Sequence, residues 1–315
     1  MRIVFMGTPE YAARSLKALL DEGYEVTGVF TQPDRPKGRG GKVTMPPVKE
    51  LAKKHGIPVV QPRRIRLEGL EALKAFRPDI CVTAAFGQIL SEEILGVPRM
   101  GTVNVHASLL PKYRGSSPVN WAIIQGERST GVTTMLTEKG IDTGDILLQR
   151  ETPIFPEETA GELTARLADM GAELLIETLR LIGEGRCPGR KQVEQDMSYY
   201  PMLRHDTGAI DWNLPAKRIA DLARGLNPWP GAYAQSPWGT MKILKATAEN
   251  TASPAVPGAI LRADSQEGLL IKTGEDALRV RLLQIPGGKA MAPEEFLRGH
   301  PIPEDGQMRN GVRGI

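Results

Sequence analysis

Short apolar runs alternate with stretches of helical periodicity over the amino-terminal third of the chain, and this alternation constrains the fold more than any other feature. Strands separated by helices in this order pair in parallel and are covered by helices on both faces. The pattern predicts an α/β fold with a Rossmann-like, doubly wound, mostly parallel sheet. The predicted strands lie at 2–6, 25–31, 58–61 and 79–85, and the predicted helices at 10–21, 46–55 and 67–76.

The turn after the first strand limits which ligands this fold could hold. Gly7 ends the strand, and Thr8-Pro9-Glu10 predicts a helix capped by Thr8, with proline at its first position and an acid near its positive end. Neither G-x-G-x-x-G nor G-x-x-x-x-G-K-[ST] occurs at this strand end. We therefore exclude a dinucleotide or ATP site here and assign Gly7 to the turn, at the edge of a substrate cleft.

A polar pair interrupts the strand predicted at 102–107. Asn104 and His106 are two residues apart, so they project from the same face, and the strand ends at a loop where open α/β sheets bind ligands. Asp142 follows in a glycine-containing turn, I-D-T-G-D, between strands predicted at 131–137 and 146–151. An amide donor, a proton shuttle and a carboxylate suit acyl transfer. By itself, however, an N-x-H pattern is more often structural.

The carboxyl-terminal half changes character after a long amphipathic helix predicted at 159–183. We predict a catalytic domain at 1–185, a linker at 186–206 and a second domain at 207–315 with a helix at 216–225. Trp121 and Trp229 are expected to pack, the latter against a turn rather than on a nucleic-acid base. Short runs broken by Pro and Gly predict a small β-barrel with strands at 231–235, 240–247, 256–261, 267–273 and 278–284.

The cysteine content and the lengths of the apolar runs bear on the cellular compartment. Cys81 and Cys187 form neither a metal-ligand spacing nor a disulfide framework, which favours a reducing cytoplasm. No apolar run is long enough for a transmembrane helix, and the amino terminus has the pattern of a first strand rather than a signal peptide. We expect no metal, no membrane association and, by default, a monomer.

Positive charge is concentrated in one segment. Ten basic residues against one acid, Glu50, make the stretch from Arg35 to Arg66 +9; since the formal net charge is +3, the remainder is −6. Three glycines and two prolines predict no regular structure for 32–42. Its basic side chains either form a solvated loop or contact nucleic-acid phosphates. They are Arg35, Lys37, Arg39 and Lys42.

The run N-V-H-A-S-L-L-P-K-Y-R-G-S-S-P, with I-D-T-G-D-I-L downstream, resembles the signature of the folate-dependent formyltransferases. The opening F-M-G-T-P-E-Y-A is similar to the long members that act on methionyl-initiator tRNA. The resemblance implies 10-formyltetrahydrofolate as co-substrate, with no tightly bound cofactor. It also implies that Asn104, His106 and Asp142 are catalytic and that the basic loop approaches the acceptor stem. The residues leave open how His106 and Asp142 divide proton transfer.

Two segments are implied in folate binding by the same resemblance. The first departs from the family at Phe86, where tyrosine is usual, and at Ser91, where proline is usual. The motifs N-P-W-P-G-A and G-G-K-A-M-A-P-E-E-F-L-R-G resemble the OB-like barrel of these enzymes. The folate-binding residues are Phe86, Gly87, Gln88, Ile89, Leu90, Ser108, Leu109, Leu110 and Pro111. Basic residues that could give the barrel a tRNA-facing surface are Lys242, Lys245, Lys272, Arg279, Arg281 and Lys289.

Three alternative functions share some of these features. A sugar-nucleotide formyltransferase would use the same three polar residues but would not need the basic loop. A formyl-folate hydrolase is normally joined to a dehydrogenase, for which 315 residues leave no room. A nucleic-acid-binding protein without catalysis conflicts with the intact Asn, His and Asp set.

Overall fold

The computed structural model describes residues 1–37, 42–302 and 306–312. Contacts group them into two units that interleave along the chain. Unit 1 comprises Met1–Gly115, Ser129–Thr152 and Thr164–Tyr199; unit 2 comprises Ser116–Arg128, Pro153–Leu163 and the described residues from Tyr200 onward. The predicted domain limits at 185 and 207 treat the chain as consecutive pieces, and they stay a prediction.

Within these ranges the elements follow one another in a mixed α/β order. The strands are β1 (Arg2–Gly7), β2 (Glu25–Phe30), β3 (Arg35–Lys37), β4 (Lys42–Thr44), β5 (Val59–Val60), β6 (Ile80–Ala84), β7 (Thr102–His106), β8 (Arg114–Gly115), β9 (Ser129–Leu136), β10 (Ile146–Pro153), β11 (Tyr199–Tyr200), β12 (Ala232–Ser236), β13 (Gly239–Glu249), β14 (Ile260–Asp264), β15 (Gly268–Lys272) and β16 (Ala277–Gln284). The α-helices are α1 (Glu10–Asp21), α2 (Pro47–Lys54), α3 (Ile65–Glu68), α4 (Leu70–Phe76), α5 (Glu92–Leu95), α6 (Pro118–Ile124), α7 (Ala160–Gly183), α8 (Ala216–Gly225) and α9 (Pro293–Leu297).

A parallel-rich sheet forms the centre of unit 1. Its strand order is β10-β9-β7-β6-β1-β2-β5. β1 pairs in parallel with β2 and β6, β6 pairs in parallel with β7, and β9 runs antiparallel to β7. The predicted mostly parallel α/β sheet is therefore confirmed. Because parallel strands end at one edge, the loops after β1, β2, β6 and β7 meet where the predicted site residues lie.

Burial on both faces explains the apolar character of the central strands. Ile3 through Met6 of β1 are fully buried, and Val4 and Met6 join one core cluster with Phe30 and Cys81. Each large side chain removed from water in this way contributes about 1.5–3 kcal/mol to the free energy of unfolding. The sheet is thus a rigid base for the polar groups at its edge.

The turn after β1 differs from the prediction. α1 begins at Glu10 with Pro9 as its N-cap, and no side chain caps it, so the prediction of a Thr8 cap was wrong. The Thr8 hydroxyl instead accepts from the Gln32 amide at 3.2 Å and donates to the Phe86 carbonyl at 3.4 Å, joining the ends of three strands. Gly7 is required by space, since a Cβ there would lie 2.6 Å from the Ala12 Cβ.

Three further local predictions differ from the structure. The helix predicted at 67–76 is divided into α3 and α4 at Gly69, where a Cβ would lie 2.5 Å from Ile65 Cγ1. The strand predicted at 256–261 begins only at Ile260, because Gly258 turns with a φ of +89°. The basic segment predicted to be irregular forms the antiparallel pair β3–β4.

Unit 2 contains a separate antiparallel sheet. Its strand order is β12-β13-β16-β15-β14, and Ile219 and Ala223 of α8 join a core cluster with Met241 and Leu278 of the sheet. The start of α7 carries a reciprocal cap: the backbone amide of Thr159 donates to Glu162 Oε2 at 2.8 Å, and the Glu162 amide donates to Thr159 Oγ1 at 3.3 Å.

The two tryptophans of interest in unit 2 differ. Trp121 packs as predicted, stacking on Tyr200 with ring centroids 5.1 Å apart and donating from Nε1 to the Pro201 carbonyl. Trp229 is 58 % exposed, so the prediction that it packs was wrong. Lys242 Nζ donates to the carbonyl of Pro230, which fixes the backbone beside an indole that faces solvent.

No helix in the described ranges combines the length and the apolar content needed to cross a membrane.

Candidate active site

Asn104 and His106 lie on β7, at the edge of the unit 1 sheet where its parallel strands end. Thr83 Oγ1, on the neighbouring strand β6, donates to Asn104 Oδ1 at 2.9 Å. In this arrangement the amide oxygen faces the threonine, and the Nδ2 group faces away from it. The Nδ2 group is therefore the end of Asn104 that serves as donor to a ligand.

His106 is buried, and one of its ring nitrogens is hydrogen-bonded to the backbone. Its Nε2 lies 2.9 Å from the carbonyl oxygen of Tyr113, and since a carbonyl only accepts, Nε2 carries a hydrogen. Its Nδ1 lies 3.7 Å from Asp142 Oδ1. Nδ1 is thus the ring nitrogen that faces the carboxylate.

Asp142 is held by backbone as well as by charge. Its Oδ2 accepts from the Gly115 amide at 2.8 Å, and the residue adopts φ +54°, the left-handed region that costs a non-glycine residue about 1 kcal/mol or more. Ala85 (φ +43°) and Tyr113 (φ +61°) share this conformation and border the same edge. Strained backbone of this kind collects at functional sites.

The segment 190–198, predicted as linker, supplies a residue that the sequence patterns did not indicate. Gln192 Nε2 donates to the carbonyls of Asp142 and Gly144, each at 2.8 Å. Its Oε1 accepts from the buried guanidinium of Arg114 at 2.8 and 3.0 Å. The only signal in the sequence was that Arg114 lies within the signature run, beside Gly115.

The first predicted folate segment follows β6 at the same edge. Phe86 is buried in the core cluster, and the carbonyls of Phe86 and Gly87 both accept from Gln32 Nε2 at 3.2 Å. Gln88 bonds the Ile65 amide and the Pro62 carbonyl, and Leu90 packs against the core. Ile89, at 70 % exposure, is the apolar side chain of this segment that faces outward.

The second predicted folate segment is fixed to β9. Thr133 Oγ1 donates to the Ser108 carbonyl at 2.6 Å and accepts from the Leu110 amide at 3.1 Å. The Ser108 hydroxyl donates to the Lys112 carbonyl, and the Leu110 side chain is buried. Leu109 and Pro111 are half-buried, so they are the members of this segment whose side chains still reach the surface.

The predicted tRNA-binding residues lie on and between β3 and β4, directly after β2. Arg35 is exposed, Lys37 and Lys42 are paired in register, and Arg39 lies outside the described residues. Asp34 fixes the start of β3, because Lys49 Nζ donates to its Oδ2 at 2.7 Å and Gln61 Nε2 to its Oδ1 at 2.9 Å. These bonds, that from Lys49 foremost, hold the pKa of Asp34 below its usual range.

Most basic side chains proposed for the unit 2 surface have internal partners. Lys245 pairs with Glu162, and Lys272 Nζ donates to the Asp276 carbonyl at 3.2 Å. Arg279 is buried and bonds Glu249 with two nitrogens, while Lys242 bonds Pro230. Arg281 and Lys289 are exposed. Across the described parts of the chain, no group of three or more His, Cys, Asp and Glu side chains is placed to hold a metal ion.

Taken together, Asn104, His106 and Asp142 can serve acyl transfer. The edge offers a neutral donor from Asn104 Nδ2 and an imidazole whose Nδ1 faces a carboxylate. A developing oxyanion needs the first, and a leaving nitrogen needs a proton of the kind the second can carry.

Two family models cover most of the chain. The model described as formyl transferase matches residues 1–179, and the model described as formyl transferase, C-terminal domain, matches residues 202–301. Methionyl-tRNA formyltransferase of Caldanaerobacter subterraneus subsp. tengcongensis is 49 % identical over 306 residues, covering 96 % of this chain and 98 % of the relative.

Solved structures of lower identity share the fold. An N-formyltransferase from Helicobacter canadensis, in complex with folinic acid and dTDP-3-aminofucose, superposes with a TM-score of 0.65 at 21 % identity, covering 88 % of this chain and 98 % of that one. HypX from Aquifex aeolicus, in complex with tetrahydrofolic acid, superposes with a TM-score of 0.65 at 18 % identity, covering 94 % of this chain and 47 % of that one.

Proposed function

The chain belongs to the formyl transferase family, and we propose that Asn104, His106 and Asp142 carry out its reaction at the carboxyl edge of β7. That reaction is the formylation of the α-amino group of methionyl-initiator tRNA, which gives the N-formylmethionyl-tRNA used in translation initiation. The observation that supports this assignment most is the 3.7 Å approach of His106 Nδ1 to Asp142 Oδ1 beside the oriented amide of Asn104.

Asn104 stabilises the oxyanion. The amine nitrogen attacks the formyl carbon of 10-formyltetrahydrofolate, and the carbonyl oxygen becomes negative in a tetrahedral intermediate. Asn104 Nδ2 donates to that oxygen, because Thr83 holds the other end of the amide. Removing one such donor from an oxyanion site typically lowers kcat by about 10²–10³-fold.

His106 and Asp142 move the protons. The bond between the formyl carbon and N10 breaks as N10 takes a proton, which the imidazolium of His106 supplies. The attacking amine loses one proton, which Asp142 accepts directly or through water. The Asp142 carboxylate first stabilises the imidazolium, and it takes the amine proton once His106 has given its own proton to N10.

The donor is held by the two segments after β6 and β7. The pterin contacts backbone groups of 87–89 and the exposed Ile89, while Leu109 and Pro111 face it from the second segment. Phe86, Gln88, Leu90, Ser108 and Leu110 shape these loops through their internal bonds and packing. No tightly bound cofactor is needed.

The tRNA is bound by charge on both units. Arg35, Lys37, Arg39 and Lys42 contact phosphates near the acceptor end, and the region 207–315 adds further contacts through exposed residues such as Arg281 and Lys289. For the unit 2 sheet we propose an OB-like barrel, supported by its five antiparallel strands. The monomeric state and the cytoplasmic location stay predictions.

The test measures transfer of labelled formyl from 10-formyltetrahydrofolate to three acceptors: methionyl-initiator tRNA, methionyl-elongator tRNA and an amino-sugar nucleotide. Selective labelling of the initiator tRNA is expected. Labelling of the sugar nucleotide alone would overturn the tRNA role given to the basic strands and would leave the chemistry standing.

Site assignments are tested with Asn104→Ala, His106→Ala and Asp142→Asn. Each is expected to lower kcat by about 10²-fold or more while folate binding stays near that of the wild type, and only His106→Ala, which removes a buried ring, should clearly lower the unfolding midpoint. His55→Ala is the matched control, since His55 is exposed at the end of α2. Turnover within a few-fold of the wild type in all three variants would contradict the assignment.

A further inference from the structure

We propose that Gln192 is a positioning residue for the reaction: it locks the turn that carries Asp142 and couples that turn to the buried Arg114. The inference rests on the proposed function of Asp142. It concerns a different residue, in a segment whose composition indicates a linker. Gln192 touches neither reacting group, so its effect on turnover passes through the Asp142 backbone.

All the hydrogen-bonding capacity of the Gln192 amide is used. Two hydrogens on Nε2 reach two carbonyls, of Asp142 and Gly144, at 2.8 Å each, and Oε1 accepts two bonds from Arg114 at 2.8 and 3.0 Å. Because carbonyls only accept and a guanidinium only donates, the orientation of this amide is determined without ambiguity. A side chain saturated in this way has one low-energy position.

The bonds fall on backbone in an uncommon conformation. Asp142 lies at φ +54°, in the left-handed region that few residues other than glycine, asparagine and aspartate adopt. Gln192 bonds the carbonyl of that same residue, while the Gly115 amide bonds its carboxylate at 2.8 Å. The backbone and the carboxylate of Asp142 are thus held from two sides, which sets the distance from Oδ1 to His106 Nδ1.

Arg114 connects the two groups that hold Asp142, namely the Gln192 side chain and the Gly115 backbone. It directly precedes Gly115 in the chain, it is 4 % exposed, and its guanidinium also bonds both carboxylate oxygens of Glu194, at 2.7 and 3.1 Å. Its backbone amide donates to the Ser198 carbonyl, and the Tyr113 amide donates to Ser198 Oγ at 2.9 Å. Ser198 therefore holds the Tyr113–Gly115 backbone that contacts both His106 and Asp142, and Gln192 holds the turn of Asp142 itself.

The test compares two side chains on the same guanidinium. Gln192→Glu keeps the length and the pairing with Arg114 but turns an oxygen toward two carbonyl oxygens. Glu194→Gln is the matched control, because it also alters a partner of Arg114, whereas its carboxylate bonds the guanidinium rather than the Asp142 turn. The assay is formylation of methionyl-initiator tRNA, with KM for both substrates, the pH profile of kcat, and the unfolding midpoint.

Gln192→Glu is expected to lower kcat by about 10–10²-fold, with KM for folate and tRNA changed less than about threefold, since small displacements of a reacting group have this effect. The pH profile of kcat should shift, because the distance between Asp142 and His106 changes. Glu194→Gln should keep kcat and the profile of the wild type. Gln192→Leu, which removes both donors without adding repulsion, should show a smaller loss.

Three outcomes would overturn the inference: wild-type kcat and pH profile in Gln192→Glu, an equal loss in Glu194→Gln, or a loss that follows the unfolding midpoint with an unchanged pH profile. An inactive wild-type chain would instead overturn the proposed function, so the two failures are distinguishable.

Discussion

At the residue scale, the orientation of one amide decides whether Asn104 can stabilise an oxyanion. In the structure the Thr83 hydroxyl donates to Oδ1 and so holds the amide with Nδ2 on its other side. Thr83→Val removes the hydroxyl at nearly constant volume, so the amide is free to rotate. Because a neutral hydrogen bond is worth about 1 kcal/mol, we expect kcat to fall about fivefold with KM unchanged.

The control for Thr83→Val is Thr178→Val. Thr178 is also buried, and its hydroxyl donates to the Leu174 carbonyl at 2.7 Å within α7. Both variants lose a buried hydrogen bond and should show similar losses in the urea midpoint. An equal fall in kcat in both would mean that stability, rather than amide orientation, accounts for the effect.

Cysteine reactivity reports on the packing of the sheet. Burial raises the pKa of the Cys81 thiol to about 12, and it also raises the pKa of the half-buried Cys187, though less far. A raised pKa lowers the thiolate fraction of Cys81, by roughly 10³-fold at about pH 8 relative to an ordinary cysteine at about 8.5. Iodoacetamide should therefore label Cys187 alone in the native chain and both in denaturant, as read by mass spectrometry. If Cys81 in the native chain were labelled as fast as Cys187, the core around Cys81 would be accessible to the reagent.

Spacing predicted that Asn104 and His106 share a face, because a strand places alternate residues on one face, and the resemblance added Asp142. Gln192 could not be found in this way. Its function depends on contacts with residues 50 and 78 positions away, and its surroundings of Gly, Pro and Gln have the composition of a linker. The prediction that Trp229 packs failed for a related reason: the loop is held by a bond to its neighbour Pro230, which the local sequence does not reveal.

At the element scale, the alternation of apolar runs predicted the central sheet well because parallel strands are buried on both faces. The basic strands β3 and β4 were missed because three glycines and two prolines mask a short pair. Breaks such as that at Gly69 depend on side-chain space that only the folded chain defines.

The anchor of the basic strands is a cluster of Asp34, Lys49 and Gln61. Lys49→Met removes the donors that reach Asp34 Oδ2 and Gln61 Oε1 at 2.7 and 2.6 Å. We expect faster amide hydrogen exchange at 32–36 and a several-fold higher KM for tRNA, with KM for folate unchanged. Lys53→Met, on the same helix but exposed, is the control. Unaltered exchange at 32–36 would show that the cluster does not anchor the strands.

The cap of α7 couples stability to pH. Thr159→Ala removes the two bonds that the Thr159 hydroxyl makes with Glu162 and should lower the free energy of unfolding by about 1 kcal/mol. Hydrogen bonds from Thr159 lower the pKa of Glu162. A lowered folded-state pKa stabilises above the unfolded value of about 4.3, and the gain is lost as pH falls through the folded value. The difference between Glu162→Gln and the wild type in urea midpoint should therefore shrink below about pH 4. A constant difference would contradict this coupling.

At the scale of the whole molecule, the segment from Arg35 to Arg66 is +9 while the remainder is −6, so an anionic substrate is attracted to one region of the chain. If phosphates bind there, the logarithm of kcat/KM for tRNA should fall steeply with the logarithm of salt concentration. Neutralising the basic strands should reduce that slope by about 0.7–0.9 for each phosphate that is no longer bound, and it should leave KM for folate unchanged. The substitutions are Arg35→Gln, Lys37→Gln, Arg39→Gln and Lys42→Gln.

The same charge change elsewhere in the segment separates direct binding from general attraction. Four other exposed basic residues of the segment come after β4, at the end of α2 and just before α3. They are Lys53, Lys54, Arg63 and Arg64. Removing them leaves the net charge of the chain equal to that of the first variant. If β3 and β4 touch the phosphates, the first set lowers kcat/KM more and flattens its salt dependence, whereas the second lowers it modestly with the slope nearly kept. Equal effects would mean that the segment acts only through its long-range field, and the direct contact assigned to Arg35, Lys37, Arg39 and Lys42 would be wrong.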